Sequence, residues 1–317
     1  MDEFRLIDTL IAPRAVARPD VLLGIGDDAA LVLPPQGEVL VLAIDTMVEG
    51  VHFLPGILPE TLGYRLAAVN LSDLAAMGAC PRWATLALTL PAVDPDWVRA
   101  FMSGLTSAFA PWQVALVGGD TTRGPLTLSL QLTGSVPSDA ALTRHGACPG
   151  DQVFVSGTVG DAAAGLALAK ADTPREGSAV FLINRFERPE PRVALGLALR
   201  GTASACIDVS DGLLADLGHI LDRSQCAARI ELTHLPLSPA LLAVANRETA
   251  LEHALAGGDD YELCFTVPTR ALASLEALRE AGHIFTRIGE IVAGEGLQLR
   301  DANGAAVVPR TGGYRHF

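Results

Sequence analysis

Short apolar segments that stop on aspartate, or on glycine followed by aspartate, recur through both halves of this sequence. They occur as Gly24-Ile25-Gly26-Asp27-Asp28, Ile44-Asp45-Thr46, Asn70-Leu71-Ser72-Asp73 and Gly118-Gly119-Asp120, then as Asp208-Val209-Ser210-Asp211 and Gly257-Gly258-Asp259-Asp260. An apolar run with β-branched residues reads as a buried strand, and a carboxylate at its end faces a cleft. Between these runs the spacing turns helical. Leu62, Leu66, Val69, Leu74 and Met77 share a face, and Asp94-Pro95-Asp96 opens a helix that aligns Trp97, Phe101 and Leu105. The chain therefore has to be a strand-and-helix protein with acidic strand ends.

Strands are expected at Val39–Ile44, Ala84–Leu90, Val114–Val117 and Leu126–Val136 in the first half, and at Gln152–Ser156, Tyr261–Val267, His283–Ile291 and Leu297–Arg300 in the second. Helices are expected at Asp161–Ala171, around Leu213–Leu221, and from Pro268 to Ala281. Pro, Ser, Asp and Gly cluster over Pro137–Gly150, which marks a boundary. The reading is α+β or α/β with two domains, 1–137 and 150–317, in a chain of 317 residues.

Composition narrows the function. Half of the residues are hydrophobic and the net charge is −13, so nucleic acid and anionic membranes are excluded as partners by charge. No run of roughly 18 apolar residues suggests a membrane span, and the N-terminus lacks the pattern of a signal peptide. Five scattered cysteines without a CxxC pair point to thiols in a reducing cytoplasm. Lys170 is the single lysine and follows no phosphate-binding glycine loop, so arginines and metal ions would have to balance phosphate charge.

Taken singly, each Gly-Asp is equally a tight turn. Three double or near-double acids in one chain argue further, because adjacent carboxylates repel unless a cation lies between them. Oxygen donors in that number suit magnesium, manganese or calcium, and magnesium completes its shell with water and substrate phosphates.

Seven ordered motifs carry a resemblance. Gly24–Ala29 (GIGDDA), Asp45–Phe53 (DTMVEGVHF), Asn70–Ala79 (NLSDLAAMGA), Gly118–Arg123 (GGDTTR), Ile207–Leu217 (IDVSDGLLADL), Gly257–Leu263 (GGDDYEL) and Gly313–Phe317 (GYRHF) resemble the thiamine-monophosphate kinase family. That family is similar to aminoimidazole ribonucleotide synthetase. The resemblance implies a two-domain fold of that type, an N-terminal domain that binds ATP and metal and pairs its sheet with that of a second subunit in a homodimer, and a C-terminal α/β domain. It also implies transfer of the γ-phosphate of ATP to thiamine monophosphate with several Mg2+ ions. By motif, Asp27, Asp28, Asp45, Asp73, Asp120, Asp208 and Asp211 would be metal ligands, with Asp45, Asp120 and Asp211 central to catalysis. Gly119, Asp120, Arg144 and Ser210 would contact ATP; His52, Asp259, Glu262 and Tyr314 would contact thiamine phosphate. Gly-Gly-Asp-Asp stands where the family usually has Gly-Gly-Glu-Asp. Without the resemblance, His52 reads equally as a strand histidine, Arg144 as a loop arginine and Tyr314 as a packed chain-end aromatic. A superfamily cousin with another acceptor, a non-catalytic binding protein and a calcium-stabilised protein are the rival readings.

Overall fold

The computed structural model describes residues 3–308. Two compact units divide the chain, one of Met1–Leu74 with Ala79–Asp139, the other of Ala75–Gly78 with Ala140–Phe317.

In the first unit, β1 (Val21–Leu23) and β2 (Leu31–Val32) form an antiparallel ribbon. A four-stranded sheet follows from β3 (Glu38–Val48), β4 (Cys80–Leu90), β5 (Ala115–Arg123) and β6 (Thr127–Pro137), in the order β3-β6-β4-β5. β6 is antiparallel to both β3 and β4. β4 and β5 are parallel, so the chain between them must cross over. Helix Pro95–Phe109 makes that crossover. Asp94 starts it, its Oδ1 accepting from the N–H groups of Asp96 (2.9 Å) and Trp97 (3.3 Å), with Pro95 at the first helical position.

Alternation decides the faces of this sheet. Leu86, Leu88 and Leu90 on β4 and Leu128, Leu130 and Leu132 on β6 are all buried, while Thr85, Ala87, Thr89, Ser129 and Gln131 between them are half-buried. Leu62, Leu66 and Leu74 of helix Pro59–Ala76 and Phe101, Met102 and Leu105 of the crossover helix are buried as well, and the two helices approach so closely that a Cβ on Gly63 would lie 2.0 Å from the Phe101 carbonyl oxygen. Each such leucine contributes about 1.5–3 kcal/mol by leaving water. β3 lies at the sheet edge and leaves Leu42 (69%) and Ile44 (67%) exposed.

The second unit holds a seven-stranded mixed sheet. Its strands are β7 (Gln152–Ser156), β8 (Ala205–Val209), β9 (Ala227–Glu231), β10 (Glu262–Val267), β11 (Phe285–Val292), β12 (Gly296–Arg300) and β13 (Ala306–Val307), ordered β13-β12-β9-β11-β7-β10-β8. Only the β12–β9 pair is parallel. Val153, Val155, Ile207 and Val209 share a core with Leu213, Leu217 and Ile220 of helix Leu213–Ser224. Phe154, Phe265 and Phe285 form a separate aromatic cluster with centroids 5.4–5.8 Å apart. The helix expected over Pro268–Ala281 is divided into a 3-10 turn, Thr269–Ala271, and helix Ser274–Glu280.

Candidate active site

In the first unit the β1–β2 connection brings Gly26, Asp27 and Asp28 to the surface, and the Asp28 N–H donates to Asp27 Oδ1 at 2.8 Å. β5 begins buried at Ala115, Leu116 and Val117 and emerges at Gly119 and Asp120, both exposed. These two segments border one cavity of about 500 Å³, within the usual range for a small-molecule site. Ile7, Ile11, Leu86 and Leu116 give it an apolar wall; Asp8, Asp27, Asp28 and Asp120 give it four carboxylates. Glycine is needed at 119 because a Cβ there would lie 1.9 Å from the Leu86 carbonyl oxygen. The same absence of a side chain opens the backbone to a ligand.

Asp45 is half-buried on β3, opposite Leu130 of β6, and Asp73 is half-buried on helix Pro59–Ala76. Neither lines this cavity. His52 follows β3, and its Nδ1 accepts the Val48 N–H at 3.0 Å. That bond assigns the ring proton to Nε2. Among the described residues no three His, Cys, Asp or Glu side chains come together as a metal cage. The donors at the cavity are carboxylates without thiol or imidazole, which fits magnesium, an ion commonly held by one or two carboxylates plus phosphate oxygens.

The other candidates lie in the second unit. β8 carries Asp208, which is buried, and runs into Ser210-Asp211-Gly212 before helix Leu213–Ser224. Asp216, in the first turn of that helix, is 2% exposed. Its Oδ2 accepts the N–H groups of Ser210 (3.0 Å), Asp211 (3.0 Å) and Gly212 (3.1 Å). Burial, then the charges of Asp208 and Asp211, push the Asp216 carboxyl up to about 8, with the backbone bonds pulling the other way.

The Gly257–Leu263 segment lies against this loop. Asp259 N–H donates to Ser210 O, and Tyr261 N–H to Val209 O, both at 2.8 Å. A Cβ on Gly258 would sit 2.4 Å from the Ser210 oxygen. Asp259 (φ +70°) and Tyr261 (φ +51°) both adopt the left-handed region, a conformation that costs energy away from glycine. The Tyr261 hydroxyl donates to Asp259 Oδ1 at 3.2 Å.

The double acid 259–260 is thus split in role. Asp259 is half-buried, whereas Asp260 is fully buried and accepts the N–H groups of Gly160 (2.6 Å) and Ala162 (3.1 Å) at the start of helix Asp161–Lys170. Burial pushes the Asp260 carboxyl up to about 7. Glu262 is also fully buried. It receives a two-point contact from Arg192 (2.6 and 2.6 Å), a third bond from Arg185 (2.8 Å) and a hydroxyl from Ser156. Arg144 is exposed, with its carbonyl accepting from Ser224 Oγ at 3.2 Å. Tyr314 lies outside the described residues.

The site residues fall into two groups, Asp27, Asp28, Gly119 and Asp120 around one cavity, and Asp208 near the end of β8 with Ser210, Asp211 and Asp259 on two bonded loops; Asp45, Asp73, His52, Glu262 and Arg144 stand outside both. Sequence reading passed over Asp8, which lines the cavity, and Asp216, Arg185 and Arg192. Asp216 lies inside the quoted Ile207–Leu217 motif but reads there as one more polar helix position. The arginines lie in helix Ser178–Glu187 and just before helix Val193–Ala198, where no motif marks them.

A family model described as AIR synthase related protein, N-terminal domain, matches residues 26–136, and its C-terminal counterpart matches residues 148–302. The chain is thus a two-domain protein of the AIR synthase related class. Thiamine-monophosphate kinase of Escherichia coli K12 is 50% identical to it over 320 residues, covering 99% of this chain and 98% of that one. The crystal structure of thiamine-monophosphate kinase from Stenotrophomonas maltophilia K279a superposes with a TM-score of 0.89 at 47% identity, covering 97% and 98% of the two chains. A structure described as AaThiL complexed with AMPPCP and TMP gives a TM-score of 0.80 at 34% identity, with coverage of 90% and 89%. This chain belongs to the thiamine-monophosphate kinase family.

Proposed function

We propose that the chain transfers the γ-phosphate of ATP to the phosphate of thiamine monophosphate, giving thiamine diphosphate and ADP, and that the cavity of the first unit receives phosphate groups together with magnesium. The observation that carries this reading is the junction of Gly118-Gly119-Asp120 with Gly26-Asp27-Asp28 around one cavity of about 500 Å³. A glycine strand end lets phosphate oxygens approach the main chain, and Asp27, Asp28 and Asp120, with Asp8 beside them, supply hard oxygen donors.

The acceptor is a phosphate monoester with a second pKa of about 6, already mostly dianionic at neutral pH. It needs no general base, and the main obstacle is repulsion between two anions. Magnesium, when bound, supplies charge neutralisation at the phosphates. Asp27, Asp28, Asp45, Asp73, Asp120, Asp208 and Asp211 are the proposed ligands. Gly119, Asp120, Arg144 and Ser210 are the proposed contacts to ATP, with His52, Asp259 and Tyr314 for thiamine phosphate. Glu262 serves that pocket by fixing Arg185 and Arg192 in place. Positioning and electrostatics then carry the rate without a phospho-enzyme.

Two further parts of the reading concern the whole protein. The long edge strand β3 exposes Leu40, Leu42 and Ile44 on one face, a surface that soluble proteins usually cover, and a second copy of the sheet is the proposed cover, making a homodimer. Free thiols at all five cysteines fit the cytoplasm, and no helix among the described residues is long and apolar enough to cross a membrane.

Phosphorus NMR of the purified protein with ATP, magnesium and thiamine monophosphate tests the reaction. A diphosphate ester and ADP are expected in equal amounts, and only when the monophosphate is present. ADP without the ester would move the assignment to another acceptor, and no ADP in any sample would reduce the protein to a binding role.

A further inference from the structure

Asp216 reaches backwards from the first turn of its helix to three consecutive N–H groups that precede the helix, at 3.0, 3.0 and 3.1 Å. Ordinary capping by a side chain in the first turn serves one N–H at the cap. Three donors converging on one oxygen form an anion nest, here filled by the protein's own carboxylate.

The consequence lies on the far side of the same peptide groups. In a trans peptide the N–H of one residue and the C=O of the residue before it point in opposite directions within one plane. Asp216 draws the Ser210 N–H inward, so the Val209 carbonyl is turned outward, where it accepts the Tyr261 N–H at 2.8 Å. It draws the Asp211 N–H inward, so the Ser210 carbonyl is turned outward to the Asp259 N–H, also at 2.8 Å. Both donating residues, Asp259 and Tyr261, are held at positive φ. Two peptide planes are therefore gripped from both sides, with Asp216 as the common inner partner.

We propose that Asp216 is a positioning residue that sets the Ser210–Asp211 loop and, through those two peptide planes, the Asp259–Tyr261 loop, so that nucleotide and acceptor contacts are aligned by one buried carboxylate. The inference rests on the kinase reading for what the two loops bind. Asp216 is buried, with its Oδ2 taken up by the three backbone donors, so its proposed role runs through the loops.

Comparing Asp216→Ala with Asp216→Asn tests it, because both remove the ionisable carboxyl while only Asn keeps an oxygen able to accept the N–H groups. With both variants folded by circular dichroism, Asp216→Ala is expected to raise the magnesium half-saturation and the KM for thiamine monophosphate by about tenfold each. Asp216→Asn should stay within about threefold of the native enzyme on both. Amide exchange at residues 210–212, 259 and 261 should quicken at least tenfold in the Ala variant and little in the Asn variant. Equal impairment in both variants would assign the effect to loss of the ionisable group rather than of the backbone bonds, and overturn the proposal. So would a fall in kcat alone, with KM, magnesium dependence and exchange unmoved. If Asp216→Ala does not fold, Asp216→Ser, whose oxygen is too short to reach the three donors, takes its place with the same expectations. If the native protein forms no thiamine diphosphate, the kinase reading fails, and the exchange comparison alone still decides whether Asp216 aligns the two loops.

Discussion

Asp120 stands where a strand leaves the core, beside a glycine that admits no side chain, in a cavity it shares with Asp27 and Asp28. Replacing its charge while keeping its size should remove stabilisation of the phosphates without disturbing β5. Asp120→Asn and Asp45→Asn are each expected to lower kcat at saturating magnesium by about 10², the scale of losing a preorganised electrostatic partner; steady-state ADP release measures it. Native-like turnover in both would remove them from the catalytic set. Asp260 belongs to the frame, since its two oxygens hold the Gly160 and Ala162 N–H groups at the start of a helix. Asp260→Asn turns an amide NH2 toward one of those donors and should cost about 1–3 kcal/mol of stability, read by urea denaturation. At this scale the sequence displayed its acids plainly but gave no means of ranking neighbours. Asp259 and Asp260 are adjacent and chemically alike. Asp259 is a half-buried loop residue at positive φ and Asp260 a buried anchor, a split that no pattern of polarity encodes.

Among the elements, strands and the crossover helix were legible because apolar alternation and the Asp94-Pro95 start are local signals. Helices Ser178–Glu187 and Arg247–Ala256 were not anticipated. The second has no segregation of apolar residues along one face, so its burial of Ala250, Ala254 and Leu255 depends on neighbours from elsewhere in the chain. The expected strand Val39–Ile44 extends to Val48, because pairing with β6 continues through Asp45, Thr46 and Met47. That pairing explains how Asp45 comes to sit within a strand. The exposed face of β3 yields a prediction of its own. Ile44→Asp places a charge on the proposed contact surface and is expected to convert a dimer to a monomer in size-exclusion chromatography while leaving the far-ultraviolet spectrum unchanged. A native protein that already elutes as a monomer would refute the dimer.

For the whole molecule, buried acids couple stability to pH. Asp260 is held up to about 7 and Asp216 up to about 8, both above the ordinary carboxyl value near 4. A carboxyl raised in the folded state takes up a proton on folding. Its stabilising contribution is therefore complete below about pH 4 and is lost as pH climbs through about 7 to 8. Metal-free protein should show a Tm that falls between pH 6 and pH 8.5, and magnesium should restore more of it at the higher pH, where Asp208, Asp211 and Asp216 repel one another most. Scanning calorimetry with and without chelator checks both; a Tm that rises over that interval would contradict the assignment.

The order of strands in the first sheet also bears on how the chain is made. β3 pairs with β6, Glu38 opposite Pro137, and has no other strand beside it in that sheet. A ribosome adding about 5–20 residues each second delivers the partner on the order of ten seconds after β3 has left the tunnel. Throughout that interval an eleven-residue apolar strand waits with both hydrogen-bonding edges open. The nascent protein is therefore most vulnerable to misassembly when its first half is only partly synthesised, and a holding chaperone would have most to protect between the emergence of Val48 and that of Pro137.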